Sequence, residues 1–287
     1  MYCFSLSFLY ISLYLYIFFI DFHLSSQQIT EKSSKFLIDC HDLMTNIKPL
    51  QVLQHGIVKR IYLVEWNGQK IVMSKLRDNI YIEDFISNRK NLIKFYGNSF
   101  ITELLGFCRD NVVFTRFYSN GNVLHNLHRT FHEYNINSFI RKFEYCLDYV
   151  KILMFLHQNK RVMCDSNSLE KTLTQYLIDD NLKIILNDLD ALPEMNETNK
   201  TRCGNKKPFG DLVAPEQEYS TSYDHEIDIW KIPEVCFWII QNDKPKSSLA
   251  RALLFFVHSI CKFRNPIERP QTFDVLSLYR LILLLEK

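Results

Sequence analysis

The chain has 287 residues, 47% of them hydrophobic and 14% aromatic, with 34 lysines and arginines against 32 aspartates and glutamates. That size suits one large globular domain or two small ones, and a net charge of +2 gives no overall pull towards nucleic acid or an acidic surface. The eight cysteines form no CxxC pair and show no metal-type Cys/His spacing.

Residues 3–20 carry no charge, which is the lower edge of what spans a bilayer, and their tyrosines suit an interface. Residues 1–21 therefore read as a signal-anchor transmembrane segment; a cleaved signal peptide is the alternative, but its usual basic n-region is absent. Lys32 and Lys35 after the span favour a cytoplasmic side for the C-terminal part of the chain. Two sequons, Asn196-Glu-Thr198 and Asn199-Lys-Thr201, favour a lumenal one. Residues 22–50 are polar and mixed and read as a stem.

From residue 51 the pattern becomes that of a folded domain. Val58–Trp66 and Gln69–Ser74 read as two strands around Asn67-Gly68, a strong hairpin signal. ITELLGFC and then NVVFTRFY read as further strands. Phe139, Phe143, Leu147, Val150, Met154 and Phe155 recur at helical spacing and predict a helix with one buried face. Asp165 follows it in a loop. Leu182–Leu186 reads as a short buried strand, and Asp188 stands two residues beyond it. Helices are expected from about Ile227 to Ile240 and from about Thr272 onward.

A loop aspartate is ordinarily a turn residue; the motifs after these two, taken in order, give them their meaning. Ala214-Pro215-Glu216 comes next, then Asp228-Ile229-Trp230, 228 − 216 = 12 residues on, then Glu268-Arg269-Pro270. Helix, loop Asp, strand, second Asp and these triplets resemble the protein-kinase frame. The resemblance implies an α+β, bilobal kinase-like fold: a small strand-rich lobe over about 51–118 and a larger helical lobe over about 119–287. It also implies that Glu216 pairs with Arg269 and that Asp228 starts a buried central helix. The text VMCDSNSLEKTL, NDLDALP, GDLVAPEQ and YDHEIDIWKIPEV is similar, more closely, to the protein O-mannose kinase family. That likeness implies ATP and Mg²⁺ (or Mn²⁺) as cofactors. The acceptor it implies is the 6-hydroxyl of a mannose in an O-linked trisaccharide on a dystroglycan-like glycoprotein, and the place is the endoplasmic reticulum, with a single-pass type II anchor and a lumenal catalytic domain.

Against the kinase pattern several residues depart. Setting Ile61-Tyr62 on the Val-Tyr of the glycine-rich loop leaves only Gly56 of its glycines. The strand lysine falls at Ser74. Lys75 points to the other face by strand alternation, so Lys59, inside the flap, is the candidate for phosphate contact, with a solvated surface lysine as the plain alternative. On the following helix Arg89 stands where a glutamate is expected. Thr115 takes the gatekeeper place and Arg116-Phe117-Tyr118 the adenine hinge, with Phe117 as a nucleotide-lining candidate. His-Arg-Asp becomes Met163-Cys164-Asp165, which loses the arginine that cradles an activation-loop phosphate. The interval from Asp165 to Asp188, 188 − 165 = 23 residues, is about 5 longer than usual. The metal-binding Asn is therefore matched by Glu170, Gln175 or Asn167, according to where the insertion lies; Gln175 is preferred. Asp-Phe-Gly becomes Asp188-Leu189-Asp190, which keeps the metal aspartate and restricts the hinge.

The enzyme reading gives Asp165 the acceptor hydroxyl, Asp188 and Gln175 the metal, and Gly56, Lys59, Thr115, Phe117, Gln175 and Asp188 the nucleotide. A pseudokinase acting as a binding module is the reading of a different class, favoured by the missing strand lysine and helix glutamate. A cytoplasmic kinase of protein hydroxyls is a third. Cys203 and Cys261, each upstream of one partner of the Glu216–Arg269 pair, are the expected disulfide.

Overall fold

The computed structural model describes residues 37–287 apart from 197, 199, 204–207, 221 and 242. The expected anchor over 1–21, residues 22–36 of the stem and the second sequon asparagine, Asn199, lie outside the described residues. Among the described residues no helix is long and apolar enough to cross a membrane.

The small lobe begins earlier than residue 51. Helix α1 (Cys40–Thr45) and the first residues of strand β1 (Ile47–His55) occupy what reads as stem in the sequence. Asp39 caps α1 in a capping box with Asp42, and Ile38 is buried with its amide on Leu105 O at 3.1 Å. Gly106 permits this approach, since a Cβ there would collide with the Ile38 carbonyl. Cys40 is then bonded to Cys108. Strands β2 (Lys59–Trp66) and β3 (Gln69–Leu76) come next, joined at Asn67 (φ 49°) and Gly68 (φ 78°), the left-handed pair that a tight hairpin needs. With β4 (Leu104–Cys108) and β5 (Val112–Arg116) they form one antiparallel sheet in the order β1-β2-β3-β5-β4. Helix α2 (Ile82–Lys94) lies between β3 and β4 in the chain. Val64, Ile71 and Phe114 form the sheet's core together with Ile38.

The large lobe is helical. Helix α3 (Val123–Glu133) is capped by Asn122, and α4 (Phe139–Gln158) by Ser138. Phe139, Phe143, Leu147 and Val150 are buried as their spacing predicts, while Met154 and Phe155 are half-buried. A short helix α5 (Leu169–Thr174) and a two-stranded ribbon, β6 (Tyr176–Ile178) with β7 (Ile184–Leu186), lie between Asp165 and Asp188 in the chain. After the one-turn α6 (Glu216–Tyr219) comes the central helix α7 (Glu226–Ile240), then α8 (Ser248–Cys261) and α9 (Thr272–Leu285). The fold is thus α+β, an antiparallel sheet lobe on a helical lobe, as a kinase requires.

Candidate active site

Asp165 sits in a loop whose backbone is nailed to the central helix. The Met163 amide donates to Asp228 Oδ2 at 3.0 Å, and the buried Lys231 ammonium donates to Met163 O at 2.9 Å, to Asp228 Oδ1 at 2.9 Å and to Ser166 Oγ. Asp228 is fully buried. Burial works against its charge, but Lys231 and the His157 ring, 3.2 Å away, hold its carboxyl below the usual range. A buried carboxylate with this many donors is satisfied, and it fixes the loop against α7. Glu216 and Arg269 brace the same lobe: Arg269 is buried and forked on Glu216 at 2.6 and 2.8 Å, with further bonds to Phe263 O and Glu226 O.

The extra residues after Asp165 form α5, capped by Ser168. This helix brings Gln175 back beside the aspartate: Gln175 Nε2 is 3.4 Å from Asp165 Oδ2, and Gln175 O accepts from the Asn187 amide at 2.9 Å. Glu170, at the matching sequence interval, is exposed on α5. Asn167 uses its backbone carbonyl to take the Leu212 amide at 2.9 Å, and its side-chain oxygen is buried with no protein partner. Lys171, which carries no motif signal, reaches Asp165 Oδ2 at 2.7 Å from the same helix. Burial would lower its ammonium, but Asp165 holds it up.

Above this loop lies the flap. Gly56 donates to Lys59 O at 3.0 Å, and a Cβ at Gly56 would stand 2.9 Å from that oxygen, so the turn is close to needing glycine. Lys59 opens β2, in register with Leu76, while Ile61 faces Ser74. Opposed residues share a face and so do residues two apart; Lys59 therefore projects from the same side as Ser74. Ser74 is buried, whereas Lys75 belongs to the other face and is exposed. Lys59 Nζ lies 2.7 Å from Asp188 Oδ1, both only slightly exposed. Burial alone would lower the Lys59 ammonium, but Asp188, Asp190 and Asp165 around it raise it. Burial would raise Asp188, yet Lys59 and then Lys171 hold it low. Asp190 is pushed up to about 7 by burial and by Asp188 beside it.

The helix glutamate is not replaced by Arg89, which turns to Asp110 at 2.7 Å. Its place in the architecture is taken by two amides. The Leu189 amide donates to Asn88 Oδ1 at 3.0 Å and Asn91 Nδ2 donates to Leu189 O at 2.8 Å, all buried. Thus α2 grips the Asp188-Leu189-Asp190 segment directly. Thr115, buried on β5, and half-buried Phe117 just beyond it occupy the strand leading from one lobe to the other.

One expectation needs correction. Cys203 is bonded to Cys164, with Cα atoms 5.1 Å apart, and Cys261 is a buried free thiol. Cys261 is the last residue of α8, packed inside the large lobe, so nearness of Glu216 to Arg269 does not bring its thiol to Cys203. Asn196 is exposed, its Oδ1 accepting from Thr198 and Lys200.

This gathering of a loop carboxylate, a buried carboxylate–ammonium pair and hard oxygen donors has the chemistry to orient a hydroxyl and hold a metal–phosphate group. No family model matches the chain. Among curated proteins it is similar to the protein O-mannose kinases of Homo sapiens and Macaca fascicularis, each 38% identical over 267 residues. The protein O-mannose kinase of Gallus gallus is 34% identical over 269 residues. Each alignment covers 86% of this chain and 75% of the relative.

Proposed function

Because the chain belongs to the protein O-mannose kinase family, and is thereby a phosphotransferase with an alcohol group as acceptor, we propose a specific transfer. The γ-phosphate of ATP passes to the 6-hydroxyl of a mannose within an O-linked trisaccharide on a glycoprotein of the dystroglycan kind. The observation that carries this reading is the Lys59–Asp188 pair at 2.7 Å. A lysine from the flap replaces the absent strand lysine and reaches the metal aspartate, so the departures at Ser74 and Arg89 do not require a dead site.

The donor set fits a divalent ion. Asp188, Asp190 and the Gln175 amide are hard oxygen ligands crowded beside two ammonium groups, and burial with like charge already disfavours a second bare carboxylate at Asp190. Asp188 and Gln175 would hold Mg²⁺ or Mn²⁺, which when bound neutralises phosphate charge. The chain's own groups do the rest. Asp165 accepts a hydrogen bond from the mannose hydroxyl and aims its oxygen. Lys59 stays charged over the phosphates, with Gly56 giving the flap its close turn. Thr115 and Phe117 line the adenine side. Catalysis of this kind is positioning and electrostatics. The uncharged residues 3–20 and the sequons at Asn196 and Asn199 support a type II anchor and a catalytic domain in the lumen of the endoplasmic reticulum.

The test incubates the full chain with labelled ATP, Mg²⁺ and an O-mannosyl trisaccharide glycopeptide, and locates the label by mass spectrometry. Label on mannose carbon 6 is expected; label on peptide hydroxyls, or none with any acceptor, would refute the reading. A mass shift on glycosidase treatment after expression in a secretory host is the expected sign of the lumenal placement.

A further inference from the structure

The residue before the acceptor-facing carboxylate has exchanged one kind of anchor for another. Cys164 stands where many kinases have the arginine that holds a phosphorylated activation segment in order by ion pairing. Here Cys164 is bonded to Cys203, which lies in that same segment. The junction is supported on both sides. The Cys164 amide donates to Ala191 O at 3.1 Å, and the Cys203 amide donates to Tyr223 Oη at 3.0 Å. Thr201 and Tyr223 exchange backbone bonds at 2.8 and 2.9 Å. Farther along, the segment lies directly on the catalytic loop: the Leu212 amide donates to Asn167 O, and Gly210 approaches so closely that a Cβ would strike the Asn167 backbone.

The catalytic loop itself is held by Asp228 and Lys231 without the disulfide. At Cys203 the segment is joined to the loop covalently. We propose that the Cys164–Cys203 bond is the positioning device for the acceptor side of the site. It keeps the activation segment docked on the Asp165 loop, does the work of an arginine–phosphate contact, and makes phosphorylation of the segment unnecessary. The proposal rests on the transfer reading above only for its activity readout. Nucleotide binding should change little, since Lys59 stands on β2 and the segment around Asp188 is held through Leu189 by Asn88 and Asn91 of α2.

The experiment compares the wild type with C164S/C203S, which leaves no unpaired partner thiol, and with C40S/C108S as the control for losing a disulfide elsewhere. Three quantities are read: amide exchange at Leu212, Kd for Mg²⁺-nucleotide, and kcat/KM for the glycopeptide. For C164S/C203S, faster Leu212 exchange is expected, with nucleotide Kd within about twofold and transfer lower by about 10²-fold, the effect of displacing reacting groups by about 1 Å. Phosphatase treatment of the wild type should leave transfer unchanged. Leu212 exchange equal to wild type would overturn the proposal, as would transfer and nucleotide binding falling together. If the wild type transfers nothing, the mannose reading fails while Leu212 exchange still decides the tether. Should C164S/C203S not fold, the bond is opened in folded wild type with dithiothreitol, which closes to its own cyclic disulfide. The freed thiols are capped with iodoacetamide and the same quantities are read, with C40S/C108S treated in parallel.

Discussion

Replacing Lys59 by Ala tests the flap lysine most directly. In the structure its ammonium is 2.7 Å from Asp188 and its side chain is only 12% exposed, so solvent screens it little. A unit charge about 4 Å from a phosphate oxygen is worth about 4 kcal/mol at an effective dielectric near 20. Loss of one preorganised donor costs about 2.7–4 kcal/mol where such losses have been measured, which slows transfer by about 10²–10³-fold. Lys59→Ala should therefore nearly abolish label transfer to the glycopeptide. Lys75→Ala should leave it close to wild type, because Lys75 is on the opposite, exposed face of β3. Ser74→Lys in the Lys59→Ala background should recover part of the rate, since Ser74 shares the face from which Lys59 projects. Initial rates with labelled ATP read all four proteins. An inactive Lys75→Ala beside an active Lys59→Ala would refute the reasoning and put the phosphate contact on β3.

Asp165→Asn should keep Mg²⁺-nucleotide binding and lose transfer, whereas Asp188→Asn should weaken both, because it takes charge from a metal ligand; calorimetric titration beside the rate assay separates them, and an Asp165→Asn enzyme as fast as wild type would remove the acceptor-orienting role. Arg269→Ala strips four hydrogen bonds from a buried site and leaves the Glu216 carboxylate uncompensated, a loss of about 3–5 kcal/mol. At about 2–4 °C per kcal/mol for a domain of this size, the melting temperature should drop by roughly 10 °C, and an unchanged value would contradict the buried pair. His157 gives a pH dependence. Burial holds its pKa below the ordinary 6.5, against the pull of Asp228, so the unfolded chain binds more protons than the folded one in that window. Its contribution to stability is thus present above about pH 6.5 and is lost as pH falls through the folded value. Urea melts between about pH 7 and 5 should lose stability in wild type and less in His157→Gln; identical slopes would exclude His157 as the source.

Local signals carried much of the fold. The Asn67-Gly68 turn, the apolar stripe of α4 and the helix starting at Glu226 were legible because each is encoded by neighbours in sequence. The nearness of Lys59 to Asp188 has a different source: with Ser74 uncharged and Lys75 out of phase, the lysine inside the flap was the remaining candidate. Residues 37–50 read as stem because α1 buries none of its residues and β1 is largely exposed, so their polarity hides how Ile38 and the Cys40–Cys108 bond tie them to the sheet. Asn88, Asn91 and Lys171 were not legible. Each acts through a contact about 100 residues away or through the insertion that forms α5, and an asparagine amide on a helix carries no pattern that announces its partner. The disulfide was misread because proximity was inferred from the Glu216–Arg269 pair, whereas a bond depends on where two Cβ atoms point. The inward face of α8 directs Cys261 away from Cys203.

The two amides on α2 also bear on pharmacology. A large class of kinase inhibitors binds only after the segment that begins at Asp188 has turned over and vacated its apolar pocket. Here that turn would break both buried bonds between Leu189 and the α2 amides and expel Leu189, which is fully buried. Leaving buried amide partners unpaired costs about 1–3 kcal/mol each, so about 4 kcal/mol in all keeps the overturned form near one molecule in a thousand. A compound that selects that form loses affinity by the same factor. Compounds of this class should therefore spare the protein at doses that silence kinases with a free hinge, and a selective inhibitor is better sought against the upright segment, at the Lys59–Asp188 pair and Lys171.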